Sequence, residues 1–70
     1  RKYPLPAEII DLRIAIVLNI AQVDIQQAIN LLDIIEIEEF RIETIDKLLV
    51  MTDDEYKVVL KGMKEGFKNE

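Results

Sequence analysis

An all-α domain of three or four helices is what this chain predicts, with a long aliphatic N-terminal helix or helix pair, and three observations carry that expectation. Residues 7–36 form thirty positions without a glycine or proline. Within them the polar residues Glu8, Asp11, Asn19, Gln22, Gln26, Asn30 and Asp33 return every three or four places, with Ala15 filling the missing step. On a helix these fall along one stripe, and nearly everything else is aliphatic. Near the other end, Thr52, Asp53, Asp54 and Glu55 read as a capping box. Tyr56, Val59, Leu60, Met63 and Phe67 then recur at i, i+3, i+4, i+7 and i+11, the spacing of an amphipathic helix. Finally, the one strand-like alternation, at Ile35, Ile37, Phe40 and Ile42, has no second strand with which to pair.

Residues 1–5 are expected to be extended, because Pro4 and Pro6 push their predecessors out of the helical region. Pro6 suits the first turn of a helix, and Glu8 and Asp11 lie near its positive end. One unbroken helix over residues 7–36 would be about 45 Å long at 1.5 Å per residue. A compact domain of this length has a diameter of roughly 28 Å. Such a rod would overhang its own domain and need a second chain to cover it; the competing and favoured reading is a break at residues 22–24. Asp24 is the expected N-cap, with Gln27 three residues on and Val23 and Ala28 flanking as a staple. Residues 36–43 are expected to form a turn or loose helical connection. Ile45, Leu48 and Leu49 then mark a short helix ending near residues 50–51. Thr52 is the expected cap of a last helix spanning about residues 53–65, with Gly66 as its stop.

Seventy residues allow a single domain, which at this size buries only about 60% of the surface its unfolded chain exposes. Half of the residues are nevertheless apolar, including twelve Ile, eight Leu and five Val. That surplus predicts a partner surface. The chain opens on Arg1, which reads as a domain cut from a longer protein. Serine, cysteine and histidine are absent, removing the usual nucleophile and base pairs as well as the serine an acyl carrier requires. Glu36, Glu38, Glu39 and Glu43 lack the alternating oxygen ligands and central glycine of a calcium loop. No enzyme activity, metal or cofactor is expected. The longest apolar run, residues 14–18, is far below the roughly 20 residues of a membrane span, so no membrane partner is expected. The missing cysteines favour a cytoplasmic, intracellular setting.

Three functional expectations follow. The first is a non-enzymatic interaction and homo-oligomerisation module. Its dimer seam is expected on the aliphatic surface of Ile10, Ile14, Val17, Leu18, Ile25, Ile29 and Leu32. In the second, a regulatory adaptor offers Asp33, Glu36, Glu38 and Glu39 to a basic protein partner, because residues 14–40 contain no Lys or Arg. The third is a dimeric nucleic-acid-binding domain. It would place Lys57, Lys61, Lys64 and Lys68, four cations on one helix face, against phosphates, with Arg1, Lys2 and Arg13 extending the patch. A net charge of −5 weighs against this third reading.

Overall fold

Residues 5–68, described by a computed structural model, fold as α1 (Ala7–Ala21), α2 (Ile25–Asn30), a 3₁₀ turn (Leu31–Ile34), α3 (Glu38–Met51) and α4 (Asp54–Lys68). The expected extended run at residues 1–4, and the expected contribution of Arg1 and Lys2 to a basic patch, lie outside the described residues. Pro6 sits one residue earlier than expected, at the N-cap of α1, where its carbonyl accepts from the N–H groups of Ile9 and Ile10.

The thirty-residue aliphatic stretch is two helices, the favoured of the two readings. The carbonyl of Ile20 accepts from Val23 N–H at 3.0 Å and Asp24 N–H at 2.8 Å, closing α1. Asp24 is extended, and its carboxylate accepts from Gln27 N–H at 3.4 Å, which starts α2. The expected staple does not form, because Val23 is 90% exposed. The turn needs no glycine: among the described residues no backbone has positive φ.

Residues 38–43, expected as a loose connection, are instead the first turns of α3. Glu38 and Glu39 occupy its positive end, and Ile37 carbonyl accepts from Phe40 and Arg41 N–H. A helix satisfies these backbone groups within the segment, whereas a strand would leave them unpaired. Thr44 is mid-helix and fully buried. Its hydroxyl donates to Phe40 carbonyl at 2.7 Å, which removes the cost of burying it.

Thr52 is the C-cap of α3 rather than the N-cap of α4, and its hydroxyl donates to the Asp53 carboxylate at 3.4 Å. Helix α4 therefore starts one position later than expected, with Asp54 and Glu55 in its first turn. That helix also runs through Gly66 to Lys68 instead of ending near residue 65. A methyl group added at Gly62 or Gly66 would meet nothing within 4 Å. Both glycines are helical with ordinary φ, so they only add freedom to the unfolded chain. Gly62→Ala and Gly66→Ala are each expected to stabilise the fold by about 0.5–1 kcal/mol, read as a higher urea midpoint at unchanged slope.

The core is one aliphatic cluster. Ile10, Ile14 and Val17 come from α1, Ala28 and Ile29 from α2, and Leu32 and Ile35 from the 3₁₀ turn and its exit. Ile45 and Leu48 of α3 and Leu60 of α4 complete it. The helices α1 and α2 pack together, α3 packs on α1, and α4 packs on α3. The Cα atoms span 37 × 29 × 17 Å. Packed helix axes lie about 8–10 Å apart, so the short dimension holds two layers and leaves every helix with an outer face.

Candidate interaction surface

The residues expected to form an intermolecular seam are used inside the chain itself. Ile10, Ile14, Val17, Ile29 and Leu32 are buried in the core, and Leu18 and Ile25 are half-buried against it. The reason is the break at residues 22–24. By folding α2 back onto α1, it lets the two halves of the aliphatic stretch cover each other. A dimer built on these seven side chains would have to open the core.

The apolar surplus of α1 is nevertheless real and lies on its other side. Ile9, Leu12 and Ile16, at i, i+3 and i+7, are 38%, 60% and 39% exposed. Helical geometry centres this stripe about 130° around the axis from the centre of the Ile10, Ile14 and Val17 face. Glu8, Asp11, Asn19 and Gln22 flank this stripe along one side, with Ala15 between them. Arg13 flanks it on the other. Its Nη1 donates to Ile34 carbonyl at 2.8 Å and to Glu36 Oε2 at 2.9 Å. Arg13 thereby ties α1 to the exit of the 3₁₀ turn. Arg13→Ala is expected to cost about 1–2 kcal/mol, through the carbonyl bond more than the solvent-exposed ion pair. Chemical denaturation at low and high salt would separate the two contributions.

The expected acidic surface is spread over three settings. Asp33 is exposed on the 3₁₀ turn, Glu36 is held by Arg13, and Glu38 and Glu39 are exposed in the first turn of α3. On the lysine face, Lys64 Nζ bonds Asp46 of α3 at 2.5 Å and Lys57 lies 3.5 Å from Asp54. Lys61 is exposed. Lys68 closes α4, and its side chain lies outside the described residues. Two of the four lysines thus face the chain's own carboxylates, which lowers the positive potential available to a phosphate backbone.

A further feature escaped sequence reasoning. The α1–α2 turn and the α3–α4 turn meet at one end of the molecule around an open depression of about 510 Å³. Ala21, Val23, Ile25, Met51, Thr52 and Asp53 line it. Only the pairing of two turns thirty residues apart creates it, so no local sequence signal could have revealed it. Among the described residues, no group of three or more His, Cys, Asp or Glu side chains is placed to hold a metal ion. No described helix is long and apolar enough to cross a membrane. No family model, curated protein or solved structure matches this chain.

Proposed function

We propose that this chain is a non-enzymatic association module that pairs with a second copy of itself through the outer face of α1. The observation that carries the reading is the uncovered stripe of Ile9, Leu12 and Ile16, opposite a face of the same helix that already fills the core. Water left on three aliphatic side chains is a standing cost, and pairing removes it at about 25 cal/mol per Å². A second copy suits the stripe because it carries no charge and is therefore complementary to itself. The neighbouring Arg13 is already held by Glu36, so no unpaired cation borders the contact.

Three side chains bury far less than the roughly 800 Å² per partner of a stable complex, so the expected pairing is weak and concentration-dependent. Sedimentation equilibrium at about 100 μM and above should show mass rising from 8.1 kDa toward twice that value. A Leu12→Glu, Ile16→Glu double variant should remain at monomer mass with unchanged helicity. Monomer mass for the unaltered chain throughout that concentration range rejects self-association.

A further inference from the structure

Resting on the α1 pairing proposed above and deepening it, we infer that the two copies of α1 run parallel and in register, with Asn19 facing Asn19 of the second copy as the residue that fixes their alignment. The exposed stripe carries a seven-residue repeat. Ile9, Ile16 and Val23 lie seven residues apart, and Leu12 and Asn19 follow the first two at i+3. This is the spacing of the two seam positions of a coiled coil, with β-branched residues at the first and Leu at the second. Burial obeys the same frame. All five of these residues are exposed, whereas Ile10, Ile14 and Val17 are buried and Ala21 packs on the core. Val23 lies in the turn that prolongs α1, where its N–H donates to Ile20 carbonyl at 3.0 Å.

Asn19 decides the direction. It is the one polar residue in the repeat, and covering its amide with aliphatic side chains costs the hydrogen bonds it makes to water. In a parallel pair each seam residue meets its own counterpart, so the amide of one Asn19 can donate to the side-chain carbonyl of the other. A fully overlapping antiparallel pair sets Asn19 against Ile9 and leaves both amides unpaired. Sliding that pair by seven residues either sets Asn19 against Ile16 or carries Ile16 past the start of the second copy's α1. Charge complementarity favours the same choice. The parallel seam brings Glu8 beside Arg13 of the second copy, twice over. Arg13 bonds within its own chain through Nη1 and is only half-buried, so its other nitrogens can receive that carboxylate. The antiparallel form instead sets the two Arg13 side chains beside each other. Aligned helix dipoles oppose the parallel form weakly, because solvent and salt screen them.

The test mixes isotope-labelled and unlabelled copies of the unaltered chain at millimolar concentration. The Asn19 side-chain amide should show intermolecular nuclear Overhauser contacts to Ile16 and Val23 of the second copy, and none to Ile9 or Leu12. In sedimentation equilibrium, Asn19→Leu should tighten self-association about tenfold, since it makes the polar layer apolar. Glu8→Lys, which sets a cation beside Arg13, should weaken it about threefold at low salt. Both positions are exposed, so the variants should keep the helical spectrum of the parent. Contacts from Asn19 to Ile9 or Leu12, or unchanged affinity in either variant, overturn the parallel alignment and leave the α1 pairing standing. Monomer mass for the unaltered chain rejects the pairing and the alignment together. A dimer with no intermolecular contact at Asn19 does the same.

Discussion

Ile14→Asp is expected to abolish the cooperative fold, while Leu12→Asp, two residues earlier in the same helix, leaves it intact. Ile14 lies in the core beside Ile10 and Val17, and an aspartate there would hold a carboxylate among aliphatic groups with no donor to receive it. Burying such a charge costs several kcal/mol before any packing loss is counted. A domain of seventy residues has about 3.5–10 kcal/mol of stability to lose. Leu12 is mostly exposed, and aspartate there remains hydrated. Far-UV circular dichroism with a urea titration decides both cases. A native transition in Ile14→Asp would mean that this side of α1 does not face the core. An unfolded Leu12→Asp would mean that the opposite side is not free.

Leu48→Ala is expected to lower stability by about 3 kcal/mol, within the 2–5 kcal/mol range for emptying a fully enclosed leucine site. Leu48 is completely buried in α3, the helix on which both α1 and α4 pack. The cavity left behind would therefore weaken two interfaces together. At a urea slope near 1 kcal/mol/M for so small a chain, the midpoint should fall by about 3 M. A loss below 1 kcal/mol would show that the neighbouring helices close over the gap, contrary to a core bounded by regular helices on both sides.

Residue-level patterns were legible wherever one local force dominated. The break before Asp24 followed from the mismatch between helix length and domain size, and from one side chain able to cap the next helix. Of the stripe Tyr56, Val59, Leu60, Met63 and Phe67 read from spacing, Leu60 is fully buried with Tyr56 and Met63 packed beside it, Val59 is 49% exposed, and the Phe67 side chain lies outside the described residues. The start of α4 was displaced by one residue because Thr52, Asp53 and Asp54 all have side chains able to end or begin a helix. Residues 38–43 were misjudged for a different reason. Their alternation of apolar and charged residues suits a strand locally, but only a neighbouring strand could make one stable, and the fold supplies none among the described residues.

One continuous helix and a pair split before Asp24 both fitted residues 7–36, and the tertiary structure selected the pair. By itself, the sequence determined that this protein is helical and that more aliphatic surface exists than a small core can use. It did not determine which side of α1 would be covered. That helix is apolar around most of its circumference, so its periodicity gives no preferred inward direction. Tertiary structure decided the matter: α2 and α3 both return to the side of Ile10, Ile14 and Val17. Ile9, Leu12 and Ile16 were left outside because a fold two layers thick can cover only one face of each helix. The meeting of the two turns at Val23 and Met51 is likewise a product of packing, since residues so far apart in the chain become neighbours only when the helices that separate them have docked.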